Sequence, residues 1–381
     1  MERIKELARI IVNHSLKVKE NEKVLITYQG IESMPLVKEI VKEVINVKGV
    51  VETDYQNQDI NNYIRENLSD SIILNKTNKL KYEVENYDCF VKLCYRKSDY
   101  YDKNINKEMQ NKLMESMKEY KEIQVNKRRW VLLNYPSIVD SNKAHMTPEE
   151  FYDFALSTMT VDYDKMYHDM LPLKELMEKT DKVRIVAPNT DISFSIKGLP
   201  AIICAGEANI PDGECFTAPI KNSVNGTITY NVPSPYHGEI FENVSLTFKD
   251  GQIVKASSNH NDKLKEIFNT DAGARYVGEF SLGLNPVIME PMGDILYDEK
   301  IAGSIHFTPG CCYDECDNGN KSNIHWDMVL IQRPEYGGGE IYFDDVLIRK
   351  DGLFVSLFSS LLPDIGFKIG CSMLSLLINL S

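Results

Sequence analysis

Positive charge is scarce in this 381-residue sequence: 43 Lys and Arg face 56 Asp and Glu, a formal net charge of −13. Binding nucleic acid or an anionic membrane needs clustered cations, so neither is expected as a partner. The one compact basic run, Lys127-Arg128-Arg129, precedes an apolar strand-like stretch and reads as a strand edge or solvated face. Long apolar runs are missing too. The run from Ile369 to Ser381 falls short of the ~18 residues that a membrane span needs. No secretory leader is expected. The N-terminal stretch MERIKELARIIVNHSLKVKE is charged throughout, and Ile4, Leu7, Ala8 and Ile11 share one stripe, which predicts an amphipathic helix. The phosphate-cradling patterns GxGxxG and GxxxxGK[ST] are absent, so no nucleotide site is read. There is no internal repeat and no low-complexity segment.

What is present describes a globular protein with 43% hydrophobic and 26% charged residues, long enough for two domains. Eight cysteines occur: Cys89, Cys94, Cys204, Cys215, Cys311, Cys312, Cys316 and Cys371. Without a leader they read as reduced thiols, and the expected location is cytoplasmic. The first half alternates strand and helix signals. KVLITY at 23–28 is a strand, the stretch opening at Ser33-Met-Pro a helix, 49–54 and 88–94 strands, 106–122 a polar helix and 130–135 a strand. That order predicts an α/β fold with a mostly parallel sheet. Thr147-Pro-Glu-Glu opens a helix with an N-cap Thr, and a further helix runs over about 162–179. The two read as a connector, so the N-terminal domain is placed at residues 1–178. From Lys182 short strands dominate, with Asp250-Gly251 and Asp351-Gly352 as hairpin turns. Residues 179–381 are therefore placed in a β-rich α+β domain.

The chemistry concentrates in Ser304 to Asp327, SIHFTPGCCYDECDNGNKSNIHWD. His325 and Asp327 are two apart, and in a strand such residues face the same side while Trp326 packs the other way. The apolar MVLIQ that follows predicts a strand over NIHWDMVLIQ. A His and an Asp so placed are half of a metal site or a structural hydrogen bond. Glu214 follows the turn IPDG at the start of a strand. Glu279 lies inside the apolar run YVGEFSL, where a lone buried carboxylate costs several kcal/mol unless paired or bound to a cation. Taken together, Glu214, Glu279, His306, His325 and Asp327 supply three carboxylates and two imidazoles. With a bridging hydroxide they balance two divalent cations, and the implied chemistry is metal-assisted hydrolysis of an amide or ester. Cys311, Cys312 and Cys316 lack an apparent fourth partner for a structural zinc and read as packing residues.

These motifs resemble a known family. PDGECFTAP around Glu214, VGEFSLGLNP around Glu279, GSIHFTPGCCYDE around His306 and Tyr313, and NIHWDMVL around His325 and Asp327 are similar to aminopeptidases of the thermophilic type, metallopeptidase family M29. The resemblance runs over essentially the whole chain. It implies metal ligands at Glu214, Glu279, His306, His325 and Asp327, and a functional tyrosine at Tyr313. It further implies two divalent ions per subunit, and three carboxylates with two imidazoles accept zinc, cobalt or manganese, with magnesium as a poorer fit. The implied activity is hydrolysis of the N-terminal peptide bond of peptides with a free N-terminus, in a two-domain homodimer. Glu279, or as an alternative Glu214, as proton acceptor, and Tyr313, as donor to the oxyanion, are the expected catalytic residues. Alternatives are a metal-dependent amidase or deacylase, or a non-catalytic dimeric metal-binding protein of the same fold. The sequence departs from the family in a short gap between Tyr313 and His325, and in the apolar stretch after Val355.

Overall fold

A computed structural model of the protein describes residues 2–98 and 106–355. The sequence features noted after Val355, including Cys371, lie outside the described residues.

The chain divides into two compact units, residues 1–161 with 206–211, and residues 162–205 with 212–381. The first unit holds a parallel sheet. Its strands run in the order Val50–Tyr55, Lys23–Tyr28, Cys89–Tyr95, Arg129–Tyr135 and Asn209–Ile210. Helices Met34–Asn46, Asp70–Asn86 and Lys107–Lys127 provide the crossovers that parallel pairing requires. The first and third form where their signals predict, whereas Asp70–Asn86 was not read from the sequence. Met34–Asn46 buries Leu36, Val37, Ile40 and Val44, one stripe at helical spacing. Helix Pro148–Met159 starts with a full capping box between Thr147 and Glu150. The basic run is structural: Arg129 pairs with Glu22 and donates to the Leu16 and Lys17 carbonyls, while Arg128 Nε donates to Val84 O.

The second unit is β-rich. An eight-stranded antiparallel sheet runs Gln252–Ser257, Ser245–Lys249, Asn225–Thr229, Thr190–Ser195, Lys182–Ala187, Glu340–Phe343, Val346–Lys350, Leu353–Phe354. Asp250 and Gly251, and likewise Asp351 and Gly352, take positive φ in the predicted two-residue turns. A five-stranded antiparallel sheet runs Val329–Ile331, Ser304–Pro309, Val277–Gly283, Glu214–Thr217, Ile202–Cys204. Phe194 of the larger sheet meets Phe280 and Phe307 of the smaller, each with ring centroids 5.0 Å away, and Phe248 reaches Phe307 as well. This aromatic layer is the core of the unit.

The unit boundary falls at 161/162, where sequence patterning placed it at 178/179. Helix Tyr163–Lys179 carries a buried face of Met166, Met170, Leu173 and Met177. That face belongs to the second unit, and the Cys215 thiol meets the Met177 sulfur at 3.6 Å. The strand expected over NIHWDMVLIQ is also shorter than predicted. Only Val329–Ile331 is regular, and His325 makes a single bridge with Gly310. The backbone there is bent around Gly310, whose φ is +114° and whose absent Cβ would stand 2.1 Å from Ile324 O. Among the described residues, no helix is long and apolar enough to cross a membrane.

Replacing Phe194 by Ala should cost about 3–5 kcal/mol, because it empties the aromatic layer between the sheets. Urea denaturation checks this. A loss under 1 kcal/mol would mean that the layer collapses around the gap.

Candidate metal centre

Period-two alternation builds this centre. In the five-stranded sheet Ser281 is paired with both His306 and Phe216, so these three project from one face. Glu279 and Thr308 pair two residues along, just before a bulge between Val277 and Glu279, and Glu214 stands opposite Gly283. Phe280 and Phe307, one residue out of phase, serve the aromatic core. Every residue of Val277–Gly283 and Ser304–Pro309 is buried. The polar face of this sheet is therefore largely shielded from solvent, and most of the charge on it must be compensated locally.

They do so around Glu279, which is 2% exposed. Its Oε1 lies 2.9 Å from His306 Nε2 and its Oε2 lies 3.3 Å from His325 Nε2. Glu214 Oε2 lies 3.3 Å from His306 Nε2 and accepts from Ser281 Oγ at 2.9 Å. Asp327 Oδ1 lies 3.2 Å from His325 Nε2 and accepts from Thr308 Oγ1 at 2.7 Å. All five residues named from sequence thus come together. They form two triads, Glu214–Glu279–His306 and Glu279–His325–Asp327, which share Glu279; within each triad the ligand atoms lie within 4.8 Å of one another. His325 and Asp327 do share a side. Trp326 turns away, stacks on Tyr236 and Phe268 and donates to Ser234 Oγ.

The loop from 310 to 324 docks the second triad onto the sheet. Gly278 admits it, since a Cβ there would stand 2.3 Å from Cys311 O. Cys311 O in turn accepts the Nδ1–H of His325 at 2.8 Å. Tyr313 is 46% exposed, with its ring 4.8 Å from that of His325 and 5.6 Å from that of Phe216. Cys312 and Cys316 are buried packing residues, and the Cys312 thiol donates to Asp317 Oδ1 and Asn320 O.

The family model of the thermophilic metalloproteases (M29) matches residues 1–344. This chain belongs to that family. It is 33% identical over 171 residues to Aminopeptidase 2 of Geobacillus stearothermophilus, a match covering 40% of this chain and 39% of that protein. The matched stretch thus spans well under half of that relative's length. In fold the chain is similar to wild-type AmpT from Thermus thermophilus, with a TM-score of 0.78 over 93% of this chain and 99% of that one, at 17% identity. A 2,5-dihydroxypyridine dioxygenase from Pseudomonas putida shares the fold at a TM-score of 0.60 and 16% identity, covering 93% and 97% of the two chains.

The residues present fit the divalent ions that an M29 centre implies. Each imidazole gives its Nδ1–H to a carbonyl, His306 to Glu299 O at 3.2 Å and His325 to Cys311 O. Both Nε2 atoms are thereby turned toward carboxylates. The buried Nε2 of His325 has no hydrogen-bond partner among the described residues, although carboxylate oxygens lie close by. A lone pair facing carboxylates at such distances needs a cation between them. Without a metal that cation is a proton. Burial opposes it, but the Glu214 and Glu279 carboxylates outweigh burial and push His306 up to about 10. His325 is raised well above its ordinary value by Asp327 and Glu279, again against burial. Burial likewise works against the charge of Glu279 and of Asp327. The imidazoles nevertheless hold both carboxyls below their usual range. Although the residue as a whole is 46% exposed, desolvation of its phenol oxygen, and then the Glu279 and Asp327 carboxylates, push the Tyr313 phenol well above its ordinary value, so it is protonated and able to donate.

Sequence reasoning missed Lys300, Glu299 and Asp212 here. Lys300 is 1% exposed, with Nζ in contact with Glu214 Oε1, 2.9 Å from Glu299 Oε1 and 3.5 Å from Asp212 Oδ1. Glu299, His306 and Asp327 form a further cluster of ligand-type atoms. Burial raises the Glu299 carboxyl to about 8 despite the Lys300 charge. The run Asp298-Glu299-Lys300 drew no reading from the sequence, and its only signal was its place just before the buried strand of His306.

Protein stripped with a chelator should gain stability when metal returns, by about 2.7 kcal/mol at a hundredfold excess over Kd. His325→Ala should remove most of that gain, as thermal melts with and without metal would show. Metal affinity should also rise with pH up to about 10, because the ion displaces the proton held by His306. A flat affinity–pH profile, measured by competition with an indicator chelator, would contradict the assignment of His306 as a ligand.

Proposed function

We propose that this M29 protein is a metal-dependent aminopeptidase acting on peptides with a free N-terminus, with Glu214, Glu279 and His306 holding one divalent ion and Glu279, His325 and Asp327 a second. The observation that carries the reading is the pair of triads meeting at one buried carboxylate. Shared anionic ligands are what hold two dications at ~3.5–4 Å. When bound, such a pair supplies Lewis acidity toward the scissile carbonyl, and a bridging hydroxide at neutral pH. Zinc, cobalt and manganese suit this mixed carboxylate and imidazole set.

The chain's own groups do the rest. Tyr313, protonated beside His325, donates to the oxygen of the scissile carbonyl as charge develops there. A carboxylate carries the proton from the nucleophile to the leaving amine. The sequence reading gives that step to Glu279. Both oxygens of Glu279 face imidazoles, however, and Glu299, whose carboxylate clusters with His306 and Asp327 and whose carboxyl burial raises, is a second candidate for the step. A homodimer and a cytoplasmic location are proposed on the family likeness alone.

The test is a panel of aminoacyl-p-nitroanilides, each beside its N-acetylated counterpart, with metal-stripped protein refilled with zinc, cobalt or manganese. Metal-restored cleavage of only the free-amine substrates is the expected result. Cleavage of blocked substrates would turn the reading to an amidase or deacylase. Silence with metal bound would turn it to a non-catalytic metal protein. In the same assay Glu279→Gln should lose metal together with activity. If Glu299 carries the step, Glu299→Gln should keep metal while kcat falls about 10²–10⁴-fold, the usual scale of a lost general base. A Glu299→Gln variant as active as wild type would return the step to Glu279.

A further inference from the structure

Lys300 is a fully buried cation to which the proposed reaction gives no part. Burying an ammonium is costly unless close anions and hydrogen bonds compensate, so a lysine held here has a specific electrostatic task. Cys204, Asp212 and Glu214 offer ligand-type atoms within 4.8 Å of one another, a fourth grouping of the kind that holds an ion. The Lys300 ammonium lies against two of its three members, 3.5 Å from Asp212 Oδ1 and in direct contact with Glu214 Oε1. An ammonium is a compact point charge with three donors, and it satisfies carboxylates from a position that a metal would otherwise take. Its effect on Glu214 is geometric. Oε1 is tied to Lys300, and Oε2 is left toward Ser281 Oγ and His306 Nε2. The same ammonium holds Glu299 Oε1 at 2.9 Å, while Glu299 O anchors the His306 ring.

We infer that Lys300 is a positioning residue of the metal centre: its ammonium fills the Cys204–Asp212–Glu214 cluster, so that Glu214 presents one oxygen to the Glu279–His306 side and no additional ion enters beside it. This rests on the proposed reading that Glu214 and His306 hold a metal. Without the ammonium, the cluster keeps two carboxylates, a thiol and a space of lysine-head size. Softer divalent ions that accept thiolate are the ones to take it.

The experiment compares full-length wild type with Lys300→Ala, both stripped, refilled with excess cobalt and freed of loose ions by gel filtration. Metal is counted by mass spectrometry, and thiolate-to-cobalt charge-transfer absorption is recorded. The variant is expected to retain one more cobalt per chain than wild type, with a new thiolate band. Both should vanish in Lys300→Ala/Cys204→Ser. An equal or smaller count without a new band overturns the inference. The difference between the proteins is the readout, so thiolate signal from Cys311, present in both, cancels. Wild type holding no cobalt would count against the proposed function, whereas the extra ion in the variant would still report on Lys300. Should Lys300→Ala not fold, anomalous diffraction from cobalt-soaked wild-type crystals decides: a peak within bonding distance of the Cys204 sulfur overturns the inference, and its absence while both histidines are occupied supports it.

Discussion

Glu279 is a carboxylate almost wholly withdrawn from water, and the second unit is arranged around satisfying it. A lone charge in that position would cost several kcal/mol. Here it has an imidazole on each oxygen, and each imidazole is oriented from behind by a backbone carbonyl. Those carbonyls come from Glu299 and Cys311, so the turn before one strand and the loop after it are both committed to the same carboxylate. The glycines at 278 and 310 follow from this commitment, because side chains there would hold the loop away from the sheet.

The two faces of the five-stranded sheet divide the labour. One face joins the aromatic layer that holds the sheets together, and the other carries acids, imidazoles and hydroxyls. Both are buried, so stability and chemistry rest on the same strands, one residue out of phase. A rigid support of this kind keeps ligand atoms in place without a bound ion. The field it creates invites positive charge, first as protons on His306 and His325 and, in the proposed function, as metal.

Fold alone does not choose the reaction. The same architecture is found in AmpT and, at a lower TM-score, in a dioxygenase. The choice lies with the donor set, its shared carboxylate and the charges packed behind it. Lys300 and Glu299 belong to that second group, the ammonium lying against Glu214 and against Glu299 itself.

Much of this was legible in the residues themselves. The strand and helix alternation of the first unit, the Thr147 cap, the Asp-Gly turns and the five ligand-type residues follow from local periodicity and short motifs, which depend on near neighbours in the chain. Those motifs also carried the family, now shown over residues 1–344. Other features were not legible, because pairing between distant strands decides them. His325 lies on a bent segment rather than in a strand because Gly310 brings Ile324 against it. Helix Tyr163–Lys179 joins the second unit because its methionines find their packing there. Lys300 is the sharpest case: a lysine beside Asp298 and Glu299 drew no reading from the sequence, and only the fold reveals that three carboxylates, from positions 212, 214 and 299, close around it. Burial is a property of the assembled sheet, and no local pattern of charge encodes it.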